Sequence, residues 1–160
     1  MSARSIAFGM IVATGFTVAV ATIAVSLAAS TAARADAVLD GIATLPGSVE
    51  DVRVGGTWER DGKIGAYRIV VARTGGESVT ARMFVQWVVY EEDGGASVES
   101  TIEITELSEL DVDVVDFTSE SDEDGLSVYI QTLDPNGAGD ESYELFITSP
   151  TQHRFGPASN

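Results

Sequence analysis

The chain contains no cysteine and a single histidine, His153. The first absence excludes disulfides, a thiolate nucleophile, a lipid-modified N-terminal cysteine and the sulfur ligands of a structural zinc site. The second leaves Ser-His-Asp chemistry with one histidine close to the C-terminus. Basic residues are scarce too: nine Lys and Arg stand against 25 Asp and Glu, a formal net charge of −16. That balance excludes a phosphate-neutralising nucleic-acid surface and electrostatic adhesion to anionic lipid. No repeat of fixed period occurs, and no helical pattern follows the N-terminal leader.

What is present begins with that leader. Arg4 precedes an uncharged run over residues 5–33, which closes on Ala33-Arg34-Ala35, a small-x-small site of the kind signal peptidase accepts. We expect a helical signal peptide at 1–35, Sec-type export in the absence of a twin-arginine pair, and cleavage near Ala35. The mature protein would then be periplasmic or secreted from a bacterial cell. A retained anchor is the alternative, since about 20 apolar residues span a bilayer. Gly9, Thr14, Gly15, Thr17, Thr22 and Ser26 dilute the run, however, and no basic flank follows it.

The 125 residues from Asp36 carry seven basic and 25 acidic side chains, a charge of −18, and fit one domain. With no disulfide, that domain must be held by its core. Its charge is segregated: from Met83 to His153 there are 18 acids and no Lys or Arg. A solvated surface that maintains solubility accounts for this, and so does a face for a cationic partner.

We expect a lead-in segment at 36–49, a β domain at 50–149 and a flexible tail at 150–160. Alternating apolar and polar residues with closely spaced turn signals predict about seven strands, near 50–59, 64–73, 78–91, 97–106, 110–118, 126–133 and 142–149. The fold class is all-β, a single antiparallel β-sandwich, with a small β-barrel as the alternative. Asp61-Gly62 suits a type I′ turn. Counting outward sets Trp58 opposite Gly65, Gly56 opposite Tyr67, Val54 opposite Ile69 and Val52 opposite Val71. Asp93-Gly94 likewise sets Val89 opposite Val98, Trp87 opposite Ser100, Val85 opposite Ile102 and Met83 opposite Ile104 on the core face. At Gly75-Gly76 a bulged loop of three to five residues keeps Arg68 outward, where an unpaired guanidinium is not buried. Leu110, Val112 and Phe117 are core candidates, with a bulge at Val114-Val115.

Three groups of residues could carry chemistry. Arg53, Arg68 and Arg82 fall on one outer face in this register and form a candidate anion site, although cross-strand pairs such as Arg82 with Glu103 would consume it. Glu120, Asp122 and Asp124, followed by Gly125, place oxygen ligands at alternate positions like half an EF-hand loop; Ca²⁺ is the one cofactor such a loop suggests. Gln131 stands where the bidentate carboxylate would be needed, and strands flank the loop. The second oxygen-rich loop, 134–141, should lie at the other end of strand six. Third, Phe84, Val88 and Tyr90 share the outer face of strand three, as core if a second layer covers them and as a binding strip if not.

Catalysis has little support: a carboxylate pair could serve glycoside hydrolysis, but with 25 acids their proximity is uninformative. The sequence therefore points to a non-catalytic binding or interaction module. Its partner is expected to be a protein, with a basic one favoured. A calcium-stabilised surface module and a carboxylate hydrolase are the rivals.

Overall fold

The structure, a computed structural model, describes residues 37–137 and 139–159. The expected signal peptide, its cleavage site and Asp36 lie outside the described residues. The described residues fall into two units, residues 37–45 and the described part of 46–159. In the first, residues 37–43 are helical, and Thr44 Oγ1 donates to the carbonyl of Asp40 at 2.9 Å. The lead-in segment is thus partly helical, where no helical pattern was read in the sequence. No helix among the described residues is long and apolar enough to cross a membrane.

The second unit is all-β apart from one short helix. Its strands are β1 (Val49–Arg60), β2 (Lys63–Thr74), β3 (Thr80–Tyr90), β4 (Ala96–Glu103), β5 (Asp113–Ser121), β6 (Leu126–Leu133), β7 (Asp140–Ser149) and β8 (Gln152–Pro157). They form two four-stranded antiparallel meanders, β1-β2-β3-β4 and β5-β6-β7-β8. The arrangement is sandwich-like, because both sheets supply one core. Tyr67, Ile69, Val71, Met83, Val85 and Trp87 come from the first sheet; Phe117, Leu126, Val128, Ile130, Leu145 and Ile147 come from the second.

Several expectations are corrected. Among the described residues the strand count is eight, because residues 152–157 form β8 within the segment read as a flexible tail. His153 and Phe155 pair with the inward residues Ile147 and Leu145, and Phe155 stacks on Tyr143 with centroids 5.1 Å apart. Pro157 is tolerated because β8 is an edge strand. The segment after β4 turns into a helix, α1 (Thr105–Ser108), instead of remaining extended. Ile104 and Leu107, three residues apart, are fully buried there, a helical spacing that alternation had hidden. Leu110, expected in the core, is 40% exposed, while Val112 and Phe117 are buried as expected.

Register is correct near the β1–β2 turn and slips beyond it. In the β3–β4 pair it is displaced at the turn and as expected beyond it, with Trp87 opposite Ser100 and Val85 opposite Ile102. Asp61 and Gly62 have φ of 53° and 74°, as a type I′ turn requires, and Trp58 opposes Gly65 and Gly56 opposes Tyr67. A bulge between Val54 and Gly56 then shifts β1 by one residue, so that Val54 opposes Arg68 and Arg53 opposes Ile69. Each residue beyond a one-residue slip changes face; Val52 and Val54 are therefore exposed. At the β3–β4 turn, Glu91 N–H donates to Gly95 O at 2.9 Å and Gly94 takes φ +81°. This longer loop sets Val98 opposite Val88 on the solvent face, and a bulge at Trp87/Val88 then restores the expected register. The β2–β3 loop has the expected length, with Thr74 opposite Thr80 and Arg68 opposite Gln86 on the outer side.

Candidate functional site

The bulge in β1 also adjoins a concave part of the surface. Gly55 is buried against Ile69 and Leu126, where a Cβ would approach Ile69 Cδ1 to 2.8 Å. Gly56 has φ +135°, and a Cβ there would lie 2.1 Å from Ser121 Oγ. The adjoining Thr57 N–H donates to the same Oγ at 3.0 Å. The two glycines therefore bring β1 of the first sheet against the end of β5 in the second.

Beyond this junction lies a cleft of about 560 Å³ between the β1–β2 hairpin and the β5–β6 turn. Trp58, Ile64, Tyr67 and Tyr90 supply its apolar lining. Trp58 packs over Gly65, where a Cβ would fall 2.9 Å from Cζ2 of the indole and 1.9 Å from Val88 O. Tyr67 meets Trp87 edge-on, with centroids 5.7 Å apart, and burial raises its phenol pKa above the usual value. Glu59, Asp122, Glu123 and Asp124 bring four carboxylates to the same cleft against one cation, Arg60. The Arg60 guanidinium donates to Thr148 O at 2.6 Å.

The expected three-arginine site does not assemble. The β1 slip moves Arg53 to the inner edge, away from the face of Arg68 and Arg82. There it pairs with Asp51 at 2.6 Å and Asp116 at 2.8 Å and donates to Phe117 O at 2.9 Å. Its guanidinium carbon lies 4.4 Å from the Phe117 ring centroid. Those bonds raise the Arg53 pKa, Asp51 contributing most. Arg68 donates to Gln86 Oε1 at 2.7 Å. Arg82 forms a two-pronged pair with Glu103, at 2.8 and 2.6 Å, and holds that carboxyl below its usual pKa.

The carboxylates singled out for calcium are also dispersed. Glu120 lies opposite Ser127 in the ladder. Asp122 Oδ1 accepts from the backbone N–H groups of Asp124 and Gly125, at 2.9 and 3.1 Å, and so closes the turn. Among the described residues, no group of three or more His, Asp or Glu side chains is placed to hold a metal ion. The segments 122–125 and 134–137 do lie at opposite ends of β6.

The outer strip on β3 is not second-layer core: Phe84 and Val88 are half-buried and Tyr90 is exposed. His153, expected in a loose tail, is half-buried on β8 with Nε2 3.0 Å from Glu106 Oε1 of α1. The cleft itself escaped the sequence reading. Its hairpin half was visible in Trp58 opposite Gly65, but the approach of the β5–β6 turn depends on packing between sheets. Comparison with known proteins found no matching family model, no matching curated protein and no matching solved structure.

Proposed function

We propose that this domain is a non-catalytic binding module for a basic protein partner, acting after export of the chain. One observation carries the reading: an aromatic-lined cleft whose rim holds four carboxylates and one cation. Aromatic walls offer large contact area and attract cations by their ring faces. Carboxylates in a concavity focus the field and steer a positively charged partner inward. The export part of the proposal rests on the Ala33-Arg34-Ala35 site and its uncharged run.

The test is calorimetric titration of the purified protein with a capped oligolysine peptide and with an oligoglutamate of equal length, at low and at physiological salt. Saturable binding of the basic peptide alone, weakened by salt and by the Glu123→Gln/Asp124→Asn double variant, is the expected result. Absence of low-salt binding, or binding indifferent to that variant, would overturn the proposal.

A further inference from the structure

A second concavity of about 640 Å³ adjoins the cleft, and the two share Ile64 and Tyr90. These side chains are 56% and 49% exposed, so a solvent-facing apolar saddle joins two lobes. The second lobe carries Glu91, Glu92 and Glu99 against Lys63. Lys63 is paired with Glu99, and Glu91 accepts from Ser97 Oγ at 2.7 Å. Among the described residues, the side-chain carboxylates of Glu92 in this lobe and of Glu59, Glu123 and Asp124 in the first accept no hydrogen bond and form no ion pair. Each lobe thus keeps unspent negative charge, and the surface between them is apolar.

Resting on the binding reading above, we infer that the groove takes an extended segment of a partner protein with the pattern cation–x–apolar–x–cation. Charge complementarity assigns one Lys or Arg to each lobe and one aliphatic side chain to the Ile64–Tyr90 saddle. The spacing follows from chain geometry. Residues i, i+2 and i+4 of an extended segment point to one side, and the outer two lie about 13 Å apart. The two lobes adjoin at Ile64 and Tyr90, which suits two anchors separated by that reach with one side chain between them. Adjacent cations would instead point to opposite sides, and only one could enter the groove. Two tethered contacts also act as one ligand, which multiplies their separate affinities.

The experiment compares fluorescently labelled, capped five-residue peptides on the purified protein at low salt. One carries lysines at positions one and five around a central leucine. A second has the same composition with the lysines adjacent, and two more keep a single lysine each. The spaced peptide should bind at least about tenfold more tightly than the other three. Glu123→Gln/Asp124→Asn and Glu92→Gln should each remove most of that advantage, and Ile64→Ser should lower affinity for every peptide that carries leucine. Equal affinity for the spaced and adjacent peptides overturns the two-lobed inference while leaving cation binding intact. Failure of all four to bind overturns both readings. Circular dichroism melting of each variant separates lost binding from lost folding.

Discussion

Ser121 occupies the space that a side chain on Gly56 would need: its Oγ lies 2.1 Å from the position of a Gly56 Cβ. The two residues fasten the bulged edge of the first sheet to the second, and the cleft opens immediately beyond them. Gly56→Ala combines a steric clash with a φ of +135° and should cost about 2–4 kcal/mol in urea unfolding. Adding Ser121→Gly removes the clash but neither the backbone strain nor the loss of the Thr57 bond, so recovery should be partial. Full recovery would show that sterics alone hold this position to glycine.

Two leucines on either side of the α1 terminus should behave oppositely. Leu107 is completely buried and Leu110 is 40% exposed. Leu107→Ala should therefore lose about 3 kcal/mol, and Leu110→Ala less than about 1 kcal/mol. Comparable losses would mean that the segment after β4 packs as a strand.

The last strand is a structural part of the second sheet. Phe155→Ala removes the ring stacked on Tyr143 and should destabilise by about 2 kcal/mol. Truncation after Thr151 would bare the β7 edge, and concentration-dependent association in analytical ultracentrifugation is the expected consequence. A truncated chain that stays monomeric with unchanged stability would make β8 dispensable.

Acid sensitivity should localise in part to α1. The Glu106 carboxyl is held below its usual 4.5, first by a bond from its own backbone N–H and further by His153. The folded state therefore binds this proton less readily than the unfolded chain. The resulting stability is complete above about pH 4.5 and is lost as pH falls through the depressed value. Glu103, lowered chiefly by Arg82, contributes in the same direction. Glu106→Gln should flatten the acid limb of the melting-temperature profile without abolishing it. An unchanged limb would remove Glu106 from the account.

Turn chemistry carried the sequence reading furthest. Asp61-Gly62 fixed the first hairpin as far as Gly56. Keeping Arg68 out of the core pointed to a β2–β3 loop of three to five residues, a range that includes the loop between Thr74 and Thr80. Errors began where the chain spends an extra residue. At Gly55 one inserted position reversed the faces of Val52 and Val54 and dispersed the arginines; at the β3–β4 turn another sent Val98 to the solvent. A bulge leaves little trace in alternation, because its cause is contact with another sheet. Glycines 55 and 56 were the available signal, and the hairpin register had explained Gly56 without a bulge. The acidic turn at 122–125 was legible as a turn, but its place beside Trp58 and Tyr90 was not, since nothing within either segment encodes their meeting. Phe155 and His153 were passed over because Pro150 and Gly156-Pro157 read as chain-end punctuation.

Each sheet is drawn from one uninterrupted half of the domain, and the chain crosses from one half to the other once, through α1 and the residues up to Val112. Every strand pairs only with its neighbour in sequence. The hairpins can therefore zip locally, at small loop-closure cost, with no strand required to insert between two already placed. The long-range step left to folding is the docking of two preassembled halves, and the Gly56–Ser121 contact belongs to that step. The groove, which draws residues from both halves, would be the last feature to appear as the chain folds and the first to vanish as it opens.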